Sequence, residues 1–294
     1  MAKKLDIAKL AERLADLDSK GNGGSSLDFI KIKDGRNVVR ILPPADNAEW
    51  FAKEVFLHYR VGKSATNQNG STIVCPTTYG DDKKCPVCEL AKELWAMSSK
   101  KDDKYDKQAK EVARKKRVYF NAIDRAEDLS DYTKNDEGKW KNTKTDEEGS
   151  PVKILATGVG VYKEIMGIIV DPEYGDITDP TEGLDVIITK SGTGFNTSYG
   201  VKTVRKESPI GFDEWEECLN DLETLGKTKT YEEIEALMSG EASPSTDDND
   251  GDEEDSTPTK AEKEEKVSDN EEGTPEDADL QSEIKAALER RKKK

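Results

Sequence analysis

The chain has 294 residues, of which 46 are Lys or Arg and 62 are Asp or Glu, so its formal net charge is −16 at neutral pH. Its mean hydropathy is −0.85, which indicates that much of the chain is solvated or disordered. No apolar run approaches the roughly 18 residues that a membrane-spanning helix needs, so no such helix is expected. The length allows one large domain or two small ones with tails.

The N-terminal residues predict a separate amphipathic arm. Residues 4–18 carry apolar side chains at helical spacing, and a GNGG run at 21–24 divides them from the rest of the chain. A short helix behind a flexible linker buries little by itself, so its apolar stripe is expected to meet another molecule; docking on its own core is the alternative. Lys3 and Lys4 make its start positive. The charged start lacks a signal-peptide core. The clustered cysteines of the chain, without a disulfide framework, suggest a reducing, cytoplasmic setting.

From Leu27 onwards the apolar residues alternate, which predicts strands. Asp34-Gly35 is a favoured turn sequence, so residues 29–32 and 38–42 are predicted to form a hairpin. Further strands are predicted at 53–61, 115–123, 153–156, 184–192 and 197–206, and helices at 89–99, 103–117, 159–170, 212–225 and 230–238. Residues 72–75 are expected to lead into the loop that carries the cysteines. The expected fold class is therefore mainly β with helices (α+β).

The segment from His58 to Cys88 holds the only histidine and three of the four cysteines. Sixteen residues separate His58 from Cys75, nine separate Cys75 from Cys85, and two separate Cys85 from Cys88. Two thiolates in a CxxC turn can bind one tetrahedral ion, and three cysteines with one histidine are a standard structural zinc set. Four protein ligands leave no open position for a reacting water, so a structural ion is expected rather than a catalytic one.

Other interpretations of these residues stay open. A CxxC pair can be a redox centre, although no thioredoxin-like βαβ pattern surrounds it. A lone histidine is more often an ordinary core or surface residue than a ligand. Cys218 lies far along the chain in a helical pattern and is predicted to be a buried free thiol.

The C-terminal segment, residues 241–294, holds 19 acidic and 9 basic residues, a net charge of −10. Five of those basic residues are the last five of the chain, Arg290 to Lys294. The stretch from Glu241 to Glu283 is rich in Ser, Thr, Pro and Gly, and is predicted to be disordered. It is either a solvating tail or a segment that mimics a polyanion or docks partners. A short helix is predicted near its end, with apolar residues on one face at Leu280, Ile284 and Leu288.

Basic residues accompany aromatic residues at three predicted strand regions. Lysine and arginine can follow phosphates while exposed rings stack on unpaired bases, as in a groove for single-stranded nucleic acid on an OB-type barrel. The alternative is that the aromatic residues belong to the core. In particular, alternation places Tyr119 and Phe120 on opposite faces, so one is predicted to be buried and one exposed.

These features resemble the zinc-containing single-stranded DNA-binding (helix-destabilising) proteins of T-even-type phages. The start AKKLDIAKLAERLADL is similar to the family's cooperativity arm, NVVRILP to its first barrel strands, and CPTTYGDDKKCPVC to its metal-binding segment. KKRVYFNAI resembles its basic–aromatic strand, and GFNTSY a Phe/Tyr pair in its binding cleft. The resemblance puts the zinc histidine at His58, base contacts at Tyr119 and Phe120, and the cleft pair at Phe195 and Tyr199.

The resemblance implies an OB-fold-type barrel in residues 25–240 with an inserted zinc subdomain at about 55–118, a flexible arm at 1–24 and a disordered acidic tail at 241–294. One structural Zn²⁺ is expected. The implied function is cooperative, sequence-tolerant coating of single-stranded DNA in phage replication, recombination and repair, in the cytoplasm of the infected host. Expected DNA contacts are Lys31, Lys33, Arg36, Arg40, Arg60, Lys115, Lys116, Arg117, Tyr119, Phe120, Lys190, Phe195, Tyr199, Lys202 and Arg205.

The same resemblance implies two sets of protein contacts. The arm, with Lys3, Lys4 and Leu5, would bind the neighbouring protomer head to tail along DNA. The acidic tail would bind replication and recombination proteins and compete with DNA for basic surface. The family's tail finishes acidic and apolar. This chain finishes ALERRKKK, so its last residues depart from the family.

Two rival classes of protein stay open beside this interpretation. A nuclease or polymerase needs a carboxylate cluster or a base beside a reactive metal, and with the one histidine assigned and no glycine-rich nucleotide loop the sequence offers little for either, so no catalytic residue is expected. A zinc-containing RNA-binding or transcriptional protein is the second rival. Binding of single-stranded DNA, single-stranded RNA and duplex at one salt concentration separates these classes.

Overall fold

The computed structural model describes residues 27–45, 48, 50–62, 70–80, 82–98, 104–193 and 196–240. The predicted arm with Lys3, Lys4 and Leu5, the acidic tail and Phe195 lie outside these residues. None of the helices within them is long and apolar enough to cross a membrane.

The described chain combines one large antiparallel sheet with four α-helices, which confirms the predicted α+β class. The strands are β1 Gly35–Ile41, β2 Ala52–Val61, β3 Ser71–Val74, β4 Lys115–Asp124, β5 Tyr132–Lys134, β6 Trp140–Asn142, β7 Lys153–Gly158, β8 Val186–Ser191 and β9 Ser198–Thr203. The helices are α1 Pro86–Met97, α2 Lys104–Val112, α3 Val159–Ile169 and α4 Tyr231–Ser239.

Strand β4 is the centre of the seven-stranded sheet, whose order is β3-β2-β4-β1-β8-β9 with β7 also on β4. Phe120 pairs with both β2 and β7, so these strands lie on opposite edges of β4. Ala122 pairs with both β7 and Ile41, so β1 shares the edge of β4 that β2 occupies further along. Through the residues described, the sheet stays open and does not close into the barrel that the resemblance implied.

The predicted hairpin at Asp34-Gly35 is wrong. Gly35 does turn the chain, with a φ of +86°, but it opens β1, and β1 pairs with β4 and β8. The preceding segment runs to β7 instead, where the Ile30 N–H donates to the carbonyl of Ile154 (2.8 Å) and the Ile154 N–H donates to the carbonyl of Asp28 (2.7 Å). Pairing with a distant strand therefore determines the structure here, although the local sequence favours a turn.

Both faces of β4 are covered, which corrects the prediction for its two rings. Phe120 is 0% exposed in a cluster with Leu155 and Ile165, where α3 covers the sheet. Tyr119 is 3% exposed on the other face, where Leu225 packs against its cluster. The alternation was right, but neither ring is exposed, so neither is available to stack on a base.

The predicted DNA contact at Arg40 is also corrected, because its side chain is fully buried. Its Nη2 donates to the carbonyl of Asp179 (2.5 Å), and its Nη1 lies 3.7 Å from the Asp185 carboxylate. Burial lowers the pKa of Arg40, while Asp185 opposes that shift. Arg40 therefore belongs to a group of three charged side chains with Asp185 and Arg125, whose Nε lies 3.1 Å from Asp185.

Two of the five helix predictions need correction, and the other three, at 89–99, 159–170 and 230–238, are confirmed by α1, α3 and α4. The helix predicted over 103–117 ends at Val112, because Lys115 onwards joins the sheet as β4. The helix predicted over 212–225 is replaced by short 3-10 turns at Glu216–Cys218 and Leu222–Gly226. Helix α4 matches its prediction. A reciprocal capping box of Thr230 and Glu233 stabilises its start.

Candidate metal centre and nucleic-acid interface

Four side chains converge on one point: the ligand atoms of His58, Cys75, Cys85 and Cys88 all lie within 4.8 Å of one another. The His58 Nε2 is 3.5 Å from the Cys85 sulfur and 3.4 Å from the Cys88 sulfur. The Cys75 and Cys88 sulfurs are 3.5 Å apart. A tetrahedral zinc ion with Zn–S near 2.3 Å and Zn–N near 2.0 Å places its ligands roughly 3.5–3.8 Å apart, so the cluster can hold such an ion.

Local structure brings the ligands together from three elements. His58 projects from β2, and Cys75 comes directly after β3, which pairs with β2 at His58 and Ile73. Cys85 precedes α1 and Cys88 lies in its first turn, with Pro86 at the first helical position. Proline is favoured there because its missing N–H would have no helical partner. The start of α1 thus positions the two cysteines of the CxxC pair.

An apolar shell encloses the cluster. Cys75 and Cys85 belong to a core with Leu90 and Leu94 of α1, to which Ile234 and Leu237 of α4 also contribute. His58 and Cys75 are fully buried. Because α4 lies near residue 240, the shell of the metal cluster extends well beyond the segment 55–118 that was predicted to contain it.

The other ring nitrogen of His58, Nδ1, is held by a backbone contact. Its Nδ1 lies 2.8 Å from the carbonyl oxygen of Val112, the last residue of α2. A carbonyl can only accept, so Nδ1 carries a proton and donates it, and Nε2 is the ring nitrogen that faces the cysteines and could bind an ion. Such an outer contact is the usual way in which proteins orient a metal-binding histidine.

Without a cation, the cluster distributes its protons unequally. Burial lowers the pKa of His58, but hydrogen bonds to the Cys75 and Cys85 sulfurs outweigh it and raise that pKa to about 9. Hydrogen bonds from the Cys85 and Cys88 side chains lower the pKa of Cys75, and the hydrogen bond to Cys75 raises the pKa of Cys88. A divalent cation would neutralise several thiolates at once and so remove this asymmetry.

The first basic surface, which we call the β1–β9 surface, lies at the end of the sheet formed by β1, β8 and β9. Lys31 and Lys33 are exposed before β1 and Arg36 at its start, and Lys202 and Arg205 are exposed on and after β9. The register opposes Lys190 to both Gly35 and Tyr199, and Tyr199 is 44% exposed. Lys190 also lies 3.4 Å from Asp34.

The second basic surface, which we call the β2–β4 surface, lies beside the metal cluster. Lys115 is exposed, with its ammonium 5.4 Å from the Tyr59 ring, and exposed Arg60 lies 3.3 Å from Glu111. Lys116 pairs with Glu54, which compensates part of its charge. Arg117 is half-buried in the ladder opposite Val55 and Gly158.

The two basic surfaces stand on different parts of the sheet. Helix α3 packs against β4, β7 and β9 and so connects their neighbourhoods. The Glu164 carboxylate accepts the Val201 N–H (2.8 Å), which ties this helix to β9. The strand pairings thus place the predicted basic residues in two groups, one on and around β1, β8 and β9 and the other on β2 and β4.

Sequence reasoning missed one basic residue of the β2–β4 surface and one exposed aromatic residue elsewhere. Arg114 precedes β4 and places its guanidinium 4.2 Å from the centre of the Phe56 ring; its membership of the ARKKR run was the available signal. Trp50 is 48% exposed and lines a cleft of about 390 Å³ with Phe51 and Ile169. The charged residue lining that cleft, Asp176, is acidic, so we do not place a DNA backbone there.

The fold and the cluster define an α+β protein with a buried Cys₃His cluster that could hold a metal ion. Among the residues that the structure describes, this is the one group with the chemistry of a transition-metal site. A family model for gp32-like DNA-binding proteins matches residues 33–239, and the chain belongs to that family. It is a family of DNA-binding proteins and not of enzymes. The comparison with curated proteins gave no match.

Proposed function

We propose that this protein coats single-stranded DNA cooperatively and with little sequence preference, in phage replication, recombination and repair. The observation that carries the proposal is the family match, which spans the folded core from residue 33 to residue 239 and contains all four metal-binding residues. In this proposal the core is an open variant of the OB arrangement, and the protein works in the cytoplasm of an infected cell.

The proposed ion is one structural Zn²⁺ held by His58, Cys75, Cys85 and Cys88. Thiolate and imidazole ligands at tetrahedral spacing suit zinc, and four protein ligands leave no position for a substrate. The burial of the cluster among α1, α2 and α4 supports a structural role, because the ion would join elements that are far apart in sequence. When bound, zinc neutralises the thiolates and holds these elements together.

DNA binding is proposed at the two basic surfaces. On the β1–β9 surface, Lys31, Lys33, Arg36, Lys202 and Arg205 are exposed and would contact phosphates, with Lys190 beside them. On the β2–β4 surface, Arg60, Lys115, Lys116 and Arg117 would do the same beside the metal cluster. Exposed Tyr199 would stack on a base, which contributes roughly 1–3 kcal/mol and tolerates any sequence. Phe195, outside the described residues, remains its proposed partner.

Self-association and partner binding are assigned to the two ends of the chain. Residues 1–24, through Lys3, Lys4 and Leu5, would contact the neighbouring protomer on DNA. Residues 241–294, with a net charge of −10, would compete with DNA for the basic surfaces and bind other replication and recombination proteins. Both assignments rest on sequence pattern and on the family.

The test is competition for a labelled single-stranded oligonucleotide by unlabelled single-stranded DNA, single-stranded RNA and duplex DNA at one salt concentration. Single-stranded DNA should compete best, and two unrelated sequences should compete equally. Stronger competition by RNA would instead support a zinc-containing RNA-binding protein. Cleavage of the labelled strand in the presence of Mg²⁺ would indicate an enzyme.

A further inference from the structure

We infer that Thr77 and Arg114 form an outer contact shell of the metal cluster, and that this shell couples retention of the ion to phosphate binding on the β2–β4 surface. The inference rests on the proposed function for its DNA-dependent half only. Its first half, the effect on metal retention, depends on contacts within the protein.

A continuous chain of contacts leads from the cluster to the surface. The Cys75 sulfur lies 3.0 Å from the Thr77 Oγ1. The Arg114 Nη1 donates to that same hydroxyl oxygen. The Arg114 guanidinium lies 4.2 Å from the centre of the Phe56 ring, and the Phe56 carbonyl accepts the Cys75 N–H (2.7 Å). Arg114 therefore contacts the cluster both through Thr77 and through the strand that carries Phe56.

The hydrogen-bond chemistry assigns a direction to each contact. A guanidinium can only donate, so the Thr77 oxygen accepts from Arg114. The hydroxyl proton of Thr77 is then directed towards the best nearby acceptor, the Cys75 sulfur. A hydrogen bond to a thiolate stabilises its charge and fixes its position, and outer contacts of this kind typically alter metal affinity by about 10–100-fold. Thr77 and Arg114 are thus positioning residues for Cys75.

Arg114 also lies where phosphate binding is proposed. It is exposed and precedes Lys115 and Lys116 directly. Its planar guanidinium has five N–H donors, so it can donate to Thr77 and to a phosphate together. A phosphate held by Arg114 would restrict its motion and thereby the Thr77–Cys75 contact. DNA should then tighten the binding of metal, and by thermodynamic reciprocity bound metal should tighten the binding of DNA. We expect the tighter metal site to lose its ion more slowly.

The experiment measures transfer of zinc from the full-length protein to a colorimetric chelator, with and without an eight-nucleotide oligo(dT). Four variants are compared with the unsubstituted protein. T77V removes the hydroxyl without changing charge, and T77S restores it. R114Q removes one positive charge at the proposed contact, and K115Q removes one at the adjacent residue, whose ammonium lies against Tyr59. Thermal unfolding of the zinc-loaded proteins reports whether each variant is folded.

Without DNA, zinc transfer should be at least about tenfold faster from T77V and R114Q than from T77S and K115Q. Oligo(dT) should slow transfer from the unsubstituted protein and from T77S, and should have little effect on T77V and R114Q. Equal rates for T77V and T77S, or for R114Q and K115Q, would overturn the outer-shell assignment. If oligo(dT) binds every variant and slows none, the coupling is wrong while the DNA-binding proposal stands. If it binds none, the DNA-binding proposal fails, and the rates without DNA still decide the assignment.

Discussion

The Nδ1 atom of His58 lies 2.8 Å from the carbonyl oxygen of Val112, and this contact joins the metal cluster to the end of α2. Two residues later Arg114 begins the basic run that leads into β4. The metal-binding residues and the β2–β4 surface are therefore parts of one connected structure. Loss of the ion should disturb both the stability of the core and the position of its basic side chains.

Replacing Cys85 or Cys88 by serine should release the metal and lower the free energy of unfolding by about 3 kcal/mol or more, because the proposed ion would join β2, β3 and α1. Metal content and thermal unfolding of the purified variants provide the measurement. C218S is the matched control, since Cys218 is half-buried away from the cluster. A metal-free C88S protein that unfolds at the temperature of the unsubstituted protein would contradict a structural ion.

Arg40 and Arg36 lie four residues apart on β1 and should respond differently to substitution. R40M should destabilise the fold by about 2–4 kcal/mol, because it leaves Asp185 buried with one partner fewer. R36Q should leave stability nearly unchanged and weaken DNA binding. It should also reduce the dependence of DNA affinity on salt concentration by the amount that corresponds to about one phosphate contact. Chemical denaturation and salt titrations of oligonucleotide binding test both. If instead R40M weakened DNA binding and left stability unchanged, while R36Q lowered stability, Arg40 would be exposed to DNA.

The ring of Tyr199 should contribute to binding of single strands. Y199A should weaken binding of a short oligonucleotide by roughly 1–3 kcal/mol if that ring stacks on a base. Y174A is the control, because Tyr174 is similarly exposed at 42% but lies between the acidic residues Glu173 and Asp176. Fluorescence anisotropy with an eight-nucleotide strand measures the effect. Equal affinities for the two variants would remove Tyr199 from the interface.

Deleting residues 1–20 should weaken cooperative coating of long strands and leave binding to a strand that holds one protomer nearly unchanged. The reason is that the arm is proposed to contact protein rather than DNA. Titrations of poly(dT) and of a short oligo(dT) give the comparison. An equal loss in both would mean that the arm binds DNA itself or stabilises the core.

Deleting residues 241–294 should tighten DNA binding, most strongly at low salt, because an acidic segment that competes for basic surface is screened as salt increases. Deleting only residues 290–294 is the control, since it removes five positive charges and leaves the acidic stretch. That shorter deletion should not tighten binding. Unchanged affinity after the full deletion would count against competition by the tail.

The metal cluster was the most predictable feature of the chain. Its cysteines lie within 14 residues and the chain has a single histidine, so spacing and composition were sufficient to select the ligands. Its surroundings were not predictable. The contacts of Val112, Thr77 and Arg114, and the packing of α4, depend on how distant segments meet in space.

The errors in the sheet have a shared cause. Alternation correctly placed Tyr119 and Phe120 on opposite faces, but it carries no information on what covers each face. Helix α3 covers one face, and the turn at Leu222–Gly226 packs over the other. Similarly, Arg40 has the residue type of a phosphate contact, and only the tertiary fold shows that Asp179 and Asp185 surround it.

The decisive quantity for the proposed function is the affinity of the full-length, zinc-loaded protein for an unstructured single strand relative to the duplex formed by that strand and its complement, at one salt concentration. We predict that the single strand binds at least about 100-fold more tightly, and that a second single strand of unrelated sequence binds within a few-fold of the first. Equal or tighter binding of the duplex would contradict a single-strand-coating function.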